Sequence, residues 1–260
     1  MTYPGGKSGA GVFQRIINLM PPHRVYVEPF LGGGAILRHK RLAQVSIGID
    51  KDKLALMTIC RSLRERYGNG VDVRFVGVGD SLSIRGEIAG ADGGPLTVLL
   101  FHGCGIEFLK AFPAGQDVLV YADPPFVRST RKTARDIYAH EMTDDDHKEL
   151  LAALVDFPGR VLLSGYPNAF YDRSLTSWSR TRFRVTTRGG MAAQKLWFNF
   201  DRPDALHDCR YLGANFRERE KIRRRIARWE ARLERMAPLE RQAMFQAIRT
   251  KFPEISISGS

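Results

Sequence analysis

Five short apolar runs, each handing over to a glycine, a proline or an acid, constrain this chain more than any other feature. Val25-Tyr26-Val27-Glu28 leads into Pro29-Phe30-Leu31-Gly32-Gly33-Gly34, and Val45-Ser46-Ile47-Gly48-Ile49 ends at Asp50. Leu96 to Phe101 leads into His102-Gly103-Cys104-Gly105, Val118-Leu119-Val120 into Tyr121-Ala122-Asp123-Pro124-Pro125-Phe126, and Arg160 to Ser164 into Gly165-Tyr166. Runs this short suit strands buried on both faces, and stretches between them such as Lys51 to Arg66 read as helical. Strands alternating with helices predict an α/β fold: a doubly wound, mostly parallel, twisted sheet covered on both sides. Arg182 to Thr187 and Lys195 to Phe200 read as a terminal antiparallel hairpin. A chain of 260 residues can bury one sizeable core. In such sheets ligands bind beyond the carboxyl ends of the strands, where these handovers fall.

The handover at Asp123 has a chemical meaning. An exocyclic amino group on a base has its lone pair delocalised into the ring, and it attacks a methyl sulfonium poorly unless acceptors hold its hydrogens. Asp123 supplies one acceptor and the Pro124 carbonyl a second, while Pro124 and Pro125 stiffen the loop by fixing φ. Phe126 offers a ring face on which an extruded base can stack, worth roughly 1–3 kcal/mol. The same four residues also occur as an ordinary strand-to-loop turn, so their company decides. Glycines at 32 to 34 allow a ligand close to the backbone. They are not the dinucleotide fingerprint, whose third glycine would fall on Leu37, and Gly5-Gly6-Lys7-Ser8 is not a phosphate loop, whose first glycine would fall on Met1. Asp50, about twenty residues after the glycine turn, reads either as a ribose-binding acid or as the cap of the helix that follows.

Taken in order, Tyr3-Pro4-Gly5-Gly6-Lys7, Glu28 to Gly34, Asp50, Asp123-Pro124-Pro125-Phe126 and Ser164-Gly165-Tyr166 resemble the DNA adenine N6-methyltransferases that use S-adenosylmethionine, in the branch of the enteric adenine methylase and its phage relatives. The resemblance covers about residues 1–200. It implies a Rossmann-like methyltransferase sheet, transfer of a methyl group to N6 of a flipped-out adenine in double-stranded DNA, and S-adenosylhomocysteine as product, without a metal. Tyr3 and Lys7 match the motif that closes over the cofactor, with Lys7 near the cofactor or the target base. Glu28, Phe30, Gly32 and Gly34 match the cofactor turn, Asp50 the ribose acid, and Asp123, Pro124, Pro125 and Phe126 the catalytic loop, with Asp123 also bordering the cofactor. The family usually has tyrosine where this chain has Phe126, a change that keeps the ring and loses the hydroxyl. Asp at the first loop position favours adenine over cytosine.

The resemblance further divides its part of the chain into a catalytic domain at 1–57 and 96–200 and a short inserted target-recognition element at 58–95, and the arginine-rich helical pattern that follows marks 201–260 as a basic helical extension. Leu96 to Phe101 is then the third strand and Val71 to Val76 an added one. Placing the third strand at Val73 to Val78, with Asp80 as its acidic end, would put Asp123 too far downstream.

Charge agrees with a polyanionic partner: 40 Lys plus Arg against 28 Asp plus Glu give +12. Arg128, Arg131, Lys132 and Arg135 follow the catalytic loop, where they either contact DNA phosphates or form a solvated loop. His140 and His147 with Asp144, Asp145 and Asp146 read as a helix start capped by Thr143, not as a metal cluster. Cys60, Cys104 and Cys209 lack close-pair spacing, consistent with reduced cytoplasmic thiols. No signal peptide or membrane-spanning run is apparent, which suits a bacterial or phage cytoplasmic protein. Asn215 to Met236 reads as a helix with an apolar stripe of Ile222, Ile226, Trp229, Leu233 and Met236. That stripe packs on the catalytic domain or on a second copy in a homodimer, and the helix arginines hold DNA or pair with Glu230 and Glu234. Two rival functions stay open: an RNA adenine methyltransferase, whose loop would more often begin with Asn, and a silent DNA-binding regulator, against which Lys7, Asp50 and Asp123 argue.

Overall fold

A computed structural model describes residues 6–9, 11–76, 94–113, 115–130, 138–187 and 190–253. The chain forms two compact units, 1–211 and 212–260. The first contains an eight-stranded sheet. Its strands are β1 (Val25–Glu28), β2 (Val45–Asp50), β3 (Val71–Val76), β4 (Leu96–His102), β5 (Val118–Ala122), β6 (Arg160–Gly165), β7 (Ser179–Thr187) and β8 (Gly190–Phe198). Across the sheet they run β3-β4-β2-β1-β5-β6-β8-β7. The first six are parallel, and β8 pairs antiparallel with both β6 and β7. This is the mostly parallel α/β sheet with a terminal hairpin expected above.

The apolar runs form strands because both of their faces are covered. Side chains alternate across the pleat. Tyr26, Leu100, Leu119, Tyr121 and Leu162 therefore join a core that includes Ile16 and Ile17 of α1 (Val12–Ile17), Ile36 and Leu37 of α2 (Ala35–His39), and Leu56, Ile59 and Leu63 of α3 (Lys53–Tyr67). Val25, Val27, Ile47, Ile49, Val120 and Leu163 face the opposite core, shared with Ile106 and Leu109 of α4 (Gly105–Ala111) and Leu150, Leu151 and Leu154 of α5 (Asp144–Val155). Each fully buried aliphatic side chain contributes roughly 1.5–3 kcal/mol.

Residues 58–76 are built into this sheet unit. Residue 58 lies inside α3, whose Ile59, Cys60 and Leu63 are core residues, and β3 pairs along its whole length with β4, from Val71 opposite Leu96 to Val76 opposite Phe101. An amphipathic helix must bury its apolar stripe, and the sheet face over β3, β4 and β2 is where α3 does so. β4 lies directly beside β2, and β3 sits outside it at the sheet edge. The rest of the expected recognition element, residues 77–93, lies outside the described residues.

Local signals act as expected at α5. Thr143 accepts a hydrogen bond from the Asp146 amide, and the Asp146 carboxylate accepts one from the Thr143 amide, a closed capping box. Among the described residues no group of three His, Cys, Asp or Glu is placed to hold a metal ion, and no helix is long and apolar enough to cross a membrane. The second unit holds α7 (Phe216–Glu234), capped by Asn215, and α8 (Pro238–Lys251), with Pro238 in its first turn. On α7, Glu220 pairs with Arg223 and Arg224, while Ile226 and Trp229 are about half exposed.

Candidate active site

The carboxyl ends of β1, β2, β4 and β5 open on one cavity of about 980 Å³. On one side it is lined by Glu28, Phe30, Gly32 and Asp50, and on the other by Lys7, Asp123, Pro124, Pro125 and Phe126. The glycine turn and the Asp-Pro-Pro loop, separated by about ninety residues of chain, share a single space.

The turn after β1 is held by β2. Gly32 and Gly34 adopt left-handed φ values of 49° and 60°, which side chains disfavour. Asp50 Oδ2 accepts a hydrogen bond from the Gly32 amide at 2.6 Å, and Oδ1 one from the Asp52 amide at 2.8 Å. Burial raises the pKa of this carboxyl, partly offset by the two amides. The capping role at α3 belongs to Asp52, whose carboxylate accepts from the amides of Leu54 and Ala55. Asp50 is thereby spared, and two further acceptor positions on its oxygens stay available for hydroxyl donors.

At the β5 end, the Lys7 ammonium lies 2.7 Å from both oxygens of Asp123. Ser164 Oγ donates to Asp123 Oδ1 at 2.5 Å. Since that donation uses the only hydroxyl hydrogen of Ser164, Tyr121, 3.0 Å away, must be the donor in their shared bond. A relay from Tyr121 through Ser164 to Asp123 thus fixes the carboxylate, and Oδ2 retains room for one more donor. Among the described residues nothing donates to the Pro124 carbonyl. Neither Ser164 nor Tyr121 had been given a role from sequence. The detectable signal was a pair of hydroxyls inside two otherwise apolar runs.

Phe126 departs from expectation. The residue is only 5% exposed. Lys7 Nζ sits 4.9 Å from its centroid, Tyr166 packs at 4.4 Å with the planes tilted by 47°, and Tyr138 meets it edge-on at 6.4 Å. Stacking a base on this ring requires Lys7 or Tyr166 to move aside, so the open ring face expected from sequence is closed here. Beneath the glycine turn, Glu28 is buried, accepts the Tyr26 hydroxyl at 2.9 Å, and has its pKa raised to about 8, mainly by burial. Behind it the buried Lys40 stacks on the Tyr26 ring at 4.2 Å, and burial lowers its pKa to about 7. Arg128 is exposed at the end of the Asp-Pro-Pro loop. Tyr3, Arg131, Lys132 and Arg135 lie outside the described residues.

No family model matches the chain, and no curated protein sequence matches it. Among solved structures, the chain is similar to a precorrin 8W decarboxylase from Methanobacterium thermoautotrophicum (13% identity, 76% of this chain and 94% of that one, TM-score 0.45). It is also similar to an rRNA methylase from Streptococcus thermophilus (10%, 72% and 93%, 0.43) and to a dimethyladenosine transferase from Plasmodium falciparum (14%, 74% and 62%, 0.41).

Proposed function

We propose that this protein transfers a methyl group from S-adenosylmethionine to N6 of an adenine extruded from double-stranded DNA. The observation that carries the reading is the shared cavity, which has a glycine turn pinned by Asp50 at one end and the braced Asp123 carboxylate at the other. In this reading Phe30 and Gly32 would hold the cofactor, Asp50 would accept from its ribose hydroxyls, and the group would supply an electrophilic methyl carbon. The adenine amine donates one hydrogen to Asp123 Oδ2 and the other to the Pro124 carbonyl. Both acceptors draw the nitrogen lone pair out of the ring and aim it at the cofactor. Attack forms the N–C bond as the S–C bond breaks, and the surplus amine proton then leaves to solvent. Lys7 neutralises Asp123 before the base arrives and moves aside to admit it. A single acceptor or donor aimed at developing charge is worth about 10²–10³ in rate, which sets what Asp123 must contribute.

The test is incubation of the protein with S-adenosylmethionine and either unmethylated genomic DNA or RNA, followed by base-resolution mapping of N6-methyladenine. Methylated DNA that is lost with Asp123→Ala, while cofactor binding persists, is the expected result. Methylation of RNA alone would replace the substrate, and an Asp123→Ala protein with the wild-type rate would overturn the mechanism.

A further inference from the structure

The β7–β8 hairpin carries a feature that the proposed reaction does not use. Strand β7 reads Ser179-Arg180-Thr181-Arg182-Phe183-Arg184-Val185, an alternation in which Phe183 and Val185 are core residues while Arg180, Arg182 and Arg184 are exposed. With the pleat period of two, the three arginines stand on one face at about 6.7 Å intervals. Arg182 is opposite Lys195 on β8, and Lys195 is opposite Gly165, the last residue of β6. Gly165 follows Ser164, which holds Asp123. Adjacent strands lie about 4.8 Å apart, so the Arg182 backbone is about 10 Å from the strand end that braces the catalytic carboxylate. Arg184 stands two residues farther along β7, past the carboxyl edge on the side where the cavity opens.

The charges are sorted. Asp172, on α6 (Ala169–Ser174), accepts hydrogen bonds from Lys195 and from Trp197 Nε1 and pairs with Arg180 at 3.6 Å. Its negative charge is thus already matched by Lys195, which is almost fully buried. Among the described residues no carboxylate lies within salt-bridge distance of Arg182 or Arg184. A cavity of about 320 Å³ lies between these groups, lined by Asp172, Arg180, Thr181, Arg182 and Lys195. A surplus of guanidinium charge beside a groove, at the edge of a sheet whose site opens nearby, suits an elongated polyanion. Three arginines spread over about 13 Å meet several phosphates of a duplex, which carries one charge per about 1.7 Å of axis.

We infer that the exposed face of β7 is a track for the phosphate backbone of the nucleic acid whose base enters the Asp123 pocket, with Arg182 and Arg184 as its principal contacts. This rests on the nucleic-acid reading of the active site and assigns it a second, sequence-independent contact surface. Contacts to phosphates set register and carry no base specificity.

Binding of the full chain to a fluorescein-labelled duplex, followed by anisotropy over a series of salt concentrations, tests it. Each phosphate contact contributes about 0.9 to the slope of log K against log salt. The Arg182→Gln/Arg184→Gln protein should show a slope shallower by about 1.8. Arg202→Gln, which removes an exposed charge just past the far end of β8, should leave the slope unchanged. An unchanged slope in the double variant overturns the track, as does a wild-type protein that binds no duplex. If that variant keeps its slope but self-associates, the arginines guard an open sheet edge, and the track is again overturned. Methylation by the wild-type protein is scored separately. A slope that depends on both arginines without methyl transfer would sink the reaction and keep the track. Methyl transfer with an indifferent slope would do the reverse.

Discussion

Glu28 is expected to hold a proton at neutral pH, and replacing it with glutamine should flatten the pH dependence of stability. The side chain is 3% exposed at the end of β1, between the glycine turn and the buried Tyr26. Burial is the largest cause of its raised pKa, the Asp123 charge adds to it, and the Tyr26 hydroxyl opposes it without cancelling it. The folded-state value is about 8 against 4.5 for a free carboxyl. Between those pH values the unfolded chain has released this proton and the folded chain has kept it, so stability falls as pH rises, and the fall is complete near pH 8. A gap of about 3.5 units at about 1.4 kcal/mol each sets an upper bound on the order of 5 kcal/mol. Glutamine matches the protonated acid in shape and cannot ionise. Denaturant unfolding of wild type and Glu28→Gln from pH 5 to 9 measures the effect. The variant should be close to wild type at pH 5 and progressively more stable relative to it up to pH 8. Lys40, lowered to about 7, contributes the opposite trend between 7 and about 10.5, because there the unfolded chain holds a proton that the folded chain lacks. While Glu28 is protonated that trend is common to both proteins; above about pH 8 the Glu28 charge raises the Lys40 pKa in wild type alone, so the difference is read below pH 8. Parallel pH profiles for the two proteins would refute the assignment of a neutral Glu28.

Two further outcomes follow from named contacts. Asp50→Ala removes the acceptor for the Gly32 and Asp52 amides together with the proposed ribose contact; hydrogen bonds to a charged group are worth about 1.5–3 kcal/mol, so calorimetry should find S-adenosylmethionine bound about 10- to 100-fold more weakly, and an unchanged affinity would remove Asp50 from the site. Gly105→Ala would place a methyl group 2.0 Å from the Pro29 carbonyl oxygen, where α4 begins against the glycine turn, so the melting midpoint should fall by the equivalent of about 3 kcal/mol or more, and a wild-type midpoint would show that the two segments do not approach this closely.

Much of the fold could be read from local signals. Each apolar run became a strand because its residues are buried on both faces, and the Thr143 cap formed because its partner is three residues away. Asp50 and Asp123 could be singled out because both end such runs. Other features had no local signature. Asp50 holds the Gly32 amide, a contact across 18 residues, while Asp52 caps α3. The covered state of Phe126 arises from Lys7 and Tyr166, neither of which announces that neighbour in sequence.

The sequence by itself determined the strands, the glycine turn and the acids at the strand ends, because burial periodicity and backbone restriction act over a few residues. Only the tertiary structure decided that Lys7 meets Asp123 across 116 residues, that Tyr121 and Ser164 brace that carboxylate, that β3 extends the sheet beyond β4, and that the β7 arginines stand in register with Gly165. Those relations depend on strand order and register, which are set by the packing of two whole cores on one sheet and leave no mark on any short stretch of chain.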